Sequence, residues 1–183
     1  MRSATVFLVC GLLLSAGTCG SLQAQTQEPS DGQQSCRKVV QKFYDWYVPK
    51  ALQHNAGRAS DIVLKSDRSV FSTKLLHGLA EDSAAQAKSD ELVGLDFDPF
   101  LGGQDTCEPY SLGKVTRTGS ACLVEVRGSS CAKNVKPDVV AELVLTNGRW
   151  VFTNFYYPQL GRHENLVSVL NQLRKDRQAP PAK

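Results

Sequence analysis

The side chains best suited to chemistry gather between Asp90 and Glu108. Within the run LVGLDFDPFLGGQDTCE stand Asp96, Asp98 and Asp105, with Glu108 close behind. Such carboxylates are the oxygen donors that Ca²⁺ takes in sets of about six to eight. Their spacing is not that of an EF-hand loop, and Phe97, Pro99 and Phe100 make the segment apolar. The plainer reading is that the aspartates accept backbone N–H bonds at turns while the two phenylalanines plug a core. An acid–base pair needs two carboxyls with differently perturbed proton affinities. Asp96 and Asp98, two apart, share a face only if the chain is extended there.

A second candidate set lies near the end of the chain. Trp150, Phe152, Asn154 and Tyr156 alternate, so a strand puts them on one face, with Val151, Thr153, Phe155 and Tyr157 on the other. Asn154 between aromatic neighbours reads either as a hydrogen-bonding group inside a pocket or as an exposed or turn-facing amide. The ligand-binding candidates are therefore Asp96, Asp98, Asp105, Trp150, Asn154 and Tyr156. His54, His77 and His163 are scattered along the chain, and G-x-S-x-G, H-E-x-x-H and P-loop patterns are absent from it. Gly102-Gly103 reads as a tight turn. The sequence assigns no catalytic residue, metal site or cofactor.

Elements must hold these residues in place. Thr26 to Gln34 is polar and reads as a flexible leader, with the first helix capped by Ser35. Val39, Val40, Phe43, Trp46 and Tyr47 recur at helical spacing, and Pro49 should kink or end that helix. The cluster from Phe43 to Tyr47 reads as core, or else as an aromatic wall of a pocket. Ser66 or Asp67 can cap a second helix carrying Phe71, Leu75, Leu76 and Leu79. Tyr110–Thr118 and Ala121–Arg127 flank Gly119, and Asp138–Thr146 and Arg149–Tyr157 flank Asn147-Gly148, a strong hairpin signal. Pro158 ends the last strand. Leu166, Val169, Leu170 and Leu173 then mark a short C-terminal helix, and a disordered tail is expected over 176–183. Helices followed by antiparallel strands give an α+β class, with a single domain over 35–175.

The first residues have the layout of a signal peptide: Arg2, an apolar run from Ala4 to Leu14, and Leu22-Gln23-Ala24 as a cleavage site ahead of Gln25. The run is shorter than the ~20 residues of a membrane-spanning helix. A lipoprotein through Cys19 is the rival, poorly served by Ala16-Gly17-Thr18. The product is expected in the periplasm or secreted. Removing Arg2 takes the formal charge from +3 to +2, which gives no electrostatic case for nucleic acid or stable membrane insertion. Cleavage leaves Cys36, Cys107, Cys122 and Cys131, an even set that suggests disulfides. A hairpin centred on Gly119 without a bulge places Cys107 opposite Cys131 and Cys122 opposite Thr116, leaving Cys36 for Cys122.

Phe43-Tyr44-Asp45-Trp46-Tyr47, the segment Leu95-Asp96-Phe97-Asp98-Pro99-Phe100 with Gln104-Asp105, and Trp150-Val151-Phe152 resemble the bacterial family called domain of unknown function 3828. That family is similar to the nuclear-transport-factor-2-like, or cystatin-like, superfamily. The resemblance implies a curved sheet wrapped around helices as a cone with an apolar pocket, and it implies no activity. Three functions follow for comparison: a non-catalytic exported domain binding a small ligand or an envelope protein, a small hydrolase or isomerase using a pocket aspartate, and an immunity or inhibitor protein. Pairing of two copies through the sheet is a further expectation.

Overall fold

The computed structural model describes residues 31–53, 57–130, 136–160 and 164–179. The expected signal peptide, His54, Cys131, His163 and the last four residues lie outside the described residues. Helix α1 (Asp31–Ala51) is followed by α2 (Ala59–Leu64), a single 3₁₀ turn (Arg68–Val70) and α3 (Thr73–Gln86). Strands β1 (Tyr110–Thr118), β2 (Ala121–Gly128), β3 (Val139–Thr146) and β4 (Arg149–Tyr156) precede α4 (Leu166–Gln178). The strands form an antiparallel meander in the order β1-β2-β3-β4. The protein is thus α+β with a short C-terminal helix.

Local chemistry explains most boundaries. Asn147 (φ 50°) and Gly148 (φ 75°) both take the left-handed conformation that a two-residue hairpin demands. Asp67 caps the 3₁₀ turn by accepting from the Ser69 N–H, and Ser72 caps α3 by accepting from Leu75. One expected helix is therefore split, because Phe71 is extended and bridges to Phe152. α1 starts at Asp31, four residues ahead of the expected Ser35 cap. The Ser35 hydroxyl instead donates to the Gly32 carbonyl and accepts from the Trp150 indole N–H. α2 had no counterpart in the sequence reading: six residues are too few to show a period.

The core lies between α1 and the sheet. Phe43, at 6 % exposure, meets the rings of Phe71, Phe100 and Phe152 at 5.6, 5.6 and 5.1 Å. Burying such a side chain contributes roughly 2–3 kcal/mol. Cys36 on α1 and Cys122 on β2 form a disulfide between fully buried residues whose Cα atoms are 6.6 Å apart. Its sequence separation of 86 residues corresponds to ~4–5 kcal/mol in the chain-entropy account. Cys107 is also disulfide-bonded, but the expected pairing with Cys131 falls on a residue outside those described.

A two-residue turn and two bulges correct the expected register. Cys122 faces Arg117, not Thr116, because Gly119 and Ser120 together make the turn. Between Leu112 and Val115 the register then shifts by one. Gly113 and Lys114 oppose Glu125 alone, and the Arg37 guanidinium donates to the freed Leu112 and Gly113 carbonyls, each at 2.7 Å. A Cβ on Gly113 would sit 2.9 Å from the Glu125 carboxylate. The second shift, between Glu142 and Leu143, leaves Thr153 of β4 without an opposite residue. Phe155 and Tyr157 therefore join Trp150 and Phe152 in the core, and Asn154 and Tyr156 turn to the other face. The expected four-residue alternation holds only as far as Phe152.

α4 is tied down at both ends. Asn165 caps it by accepting from Ser168 N–H. At the other end Arg177 Nη1 donates to Asp82 Oδ1 at 2.9 Å and to the Val93 carbonyl at 3.0 Å. Asp82 is 3 % exposed and its second oxygen accepts from Leu95 N–H. The stretch 176–178, expected to be tail, is the last turn of this anchored helix.

Candidate functional site

Of the carboxylates singled out in the sequence, Asp98 is half-buried and the others are exposed. Asp98 heads the turn that carries Phe100 into the core. Its Oδ1 accepts from the N–H groups of Phe100 (2.8 Å) and Leu101 (3.0 Å), and its Oδ2 accepts from the Tyr47 hydroxyl at 2.7 Å. Tyr44 and Tyr157 donate to the neighbouring carbonyls of Phe100 and Pro99. Burial lifts the Asp98 pKa above its ordinary value even against those three hydrogen bonds. Burial also pushes the Tyr47 hydroxyl well up, with the Asp98 charge adding to it. Asp96 and Asp105 are exposed. Among the described residues no group of three or more His, Cys, Asp and Glu is placed to hold a metal ion.

Asn154 serves α4. Its Oδ1 accepts from the N–H groups of Phe155 and Val167, and its Nδ2 donates to the capping Asn165 at 3.0 Å. Tyr156 reaches across the sheet to donate to Glu142 Oε2 at 3.2 Å. Neither of them lines the groove that Trp150 borders, so the geometry separates both from Trp150.

Trp150 instead borders a groove of about 900 Å³ along one flank of α1. Phe43, Phe71 and Phe152 close its floor, and the half-buried Val39, Trp46, Ile62 and Val70 form its walls. The α1 contribution recurs at three- and four-residue steps beside the core stripe, so one helix presents one edge to the core and the next to the groove. Its rim carries Lys42, Lys50, Lys65 and Arg149 against a single carboxylate, Asp67. Hydrogen bonds from Ser69 hold the Asp67 pKa below its ordinary value, helped by Arg149 and Lys42. The Lys50 ammonium lies 5.6 Å from the centre of the Trp46 ring, and Arg117 stands 5.4 Å from that of Trp150. The sequence reading did not single out these cations. The signal available was Lys42-x3-Trp46-x3-Lys50, which places a cation one turn to either side of an indole.

A smaller cavity of about 330 Å³ lies between α3 and α4. There Glu81 faces Arg174 at 3.7 Å and His77 at 3.4 Å, while Lys74 on the same lining forms no ion pair among the described residues. At the groove none of the four rim cations forms an ion pair within the described residues. The chain matches no family model, no curated protein and no solved structure.

Proposed function

We propose that this protein is an exported, non-catalytic domain that holds a small ligand in the groove along α1. The observation that carries this is an open concavity of about 900 Å³, floored by aromatic rings and rimmed by polar groups without ion pairs among the described residues. Small-molecule sites share that make-up and fall within roughly 300–1,000 Å³. Export to an oxidising compartment such as a periplasm is supported by the Cys36–Cys122 disulfide. It is also compatible with the finding that no described helix is long and apolar enough to cross a membrane. The finer description of the fold as a cystatin-like cone remains part of this proposal, resting on the resemblance and on helices leading into a four-stranded meander.

The chain's two tryptophans, Trp46 and Trp150, both border the groove, so intrinsic emission reads it directly. Titration with an uncharged naphthylamine probe should give saturable energy transfer from tryptophan, and Val39→Asp should abolish it in protein that circular dichroism shows to be folded, at some cost in melting temperature because Val39 also packs against the core. Absence of a saturable signal from the folded protein would overturn the reading. The alternative of a hydrolase or isomerase rests on one of Asp96, Asp98 and Asp105 facing the pocket, and none of the three lines the groove.

A further inference from the structure

Resting on that reading, we infer that the ligand is an anionic amphiphile: an apolar chain or ring body bearing one acidic head group. The charge distribution carries the inference. The whole chain has 21 Lys and Arg against 18 Asp and Glu, yet the groove alone gathers four cations and one anion. Its net charge of +3 matches that of the complete chain.

The single carboxylate does not cancel them. Asp67 Oδ1 accepts from Ser69 N–H at 3.0 Å, and no Asp67 oxygen lies within ion-pair distance of a cation among the described residues. Lys42, Lys65 and Arg149 are exposed around the concavity, where low-dielectric walls concentrate a field of one sign. An uncharged apolar guest would leave that field unused, and a cationic guest would meet repulsion. An anion with an apolar body satisfies both parts of the groove at once. Its body lies on the aromatic floor, and its head lies among Lys42, Lys65 and Arg149.

Dodecanoate, dodecanol and dodecyltrimethylammonium share one tail and differ in head charge. Each is titrated below its micellar concentration into the purified protein while tryptophan emission is followed. Dodecanoate should bind at least about tenfold more tightly than dodecanol, with the cation weakest and only dodecanoate weakened by added salt. The triple variant Lys42→Gln, Lys65→Gln, Arg149→Gln should bind dodecanoate and dodecanol equally. Equal affinities in the unaltered protein, or a preference for the cation, would overturn the anionic head while leaving the binding groove standing. Failure of all three amphiphiles and of the naphthylamine probe to bind folded protein would remove the groove itself.

Discussion

Around Asp98 polar groups close on one another, whereas around Trp46 they stand apart. The Asp98 carboxylate takes two backbone N–H bonds and one phenol, and three tyrosines pin the turn it heads. In the groove the same kinds of residue, aromatic rings beside charges, leave their cations without ion pairs among the described residues. The contrast lies in hydrogen-bond accounting. A buried polar group that is fully engaged stabilises the fold, and it is the unengaged group beside apolar surface that has capacity for a ligand. Substitutions in the engaged regions should therefore cost stability, and substitutions in the groove should cost binding.

The largest loss is expected at the buried ion pair between α4 and α3. Arg177→Ala strips Asp82, whose side chain is 4 % exposed, of its charged partner. An uncompensated buried charge costs about 3–5 kcal/mol. Urea denaturation should show that loss, and α4 should become the first segment to exchange its amide hydrogens. A loss below about 1 kcal/mol would mean that the pair behaves as a surface bridge.

Asp98→Ala comes next, at about 3 kcal/mol, because it leaves two N–H groups and the Tyr47 hydroxyl without their acceptor. Asp98→Asn keeps an acceptor and separates the charge from the hydrogen bonds. Since burial raises the folded-state pKa above the ordinary 3.8, the folded protein holds this proton more tightly than the unfolded chain. The group's stabilising contribution is therefore full below the unfolded value and is lost as pH rises through the folded one. Measured from about pH 3 to about pH 7, wild-type stability should fall relative to Asp98→Asn. A relative rise would mean that the hydrogen bonds outweigh burial.

Asn154→Ala should cost about 1–2 kcal/mol, since one amide ties β4 to the first turn of α4. It should leave probe binding in the groove unchanged. Loss of binding without loss of stability would move Asn154 back into a ligand site and blur the contrast between the two regions.

How much of this was legible depended on how local the cause was. The strand boundaries, the Asn147-Gly148 turn and the leucine stripe of α4 follow from neighbours in sequence, and the structure has them. The bulges do not. Thr153 resembles any strand residue until the Glu142–Leu143 shift displaces it, and that one residue decides which face Asn154 and Phe155 occupy. Gly113 offered a hint, but Arg37, which satisfies the freed carbonyls, stands 75 and 76 residues away. The groove was hidden for the same reason. Trp46 and Trp150 could be named as aromatic, but their meeting with Lys65 and Arg149 across three elements is a tertiary fact.

The smallest change in stability is expected where the change in head-group preference is greatest. Lys42, Lys65 and Arg149 are exposed and lie close enough to Asp67 for Lys42 and Arg149 to influence its titration, but none forms an ion pair among the described residues. Surface substitutions free of buried partners shift stability by within about 0.5 kcal/mol. Neutralising three like charges around one concavity also relieves their mutual repulsion. The triple glutamine variant should accordingly melt with the wild type or slightly above it, as differential scanning calorimetry at low and high salt would show. The small gain should vanish at high salt, where the repulsion is screened. A loss beyond about 2 kcal/mol would show that these cations hold the fold together, and the groove would then belong with Asp98 among the engaged regions.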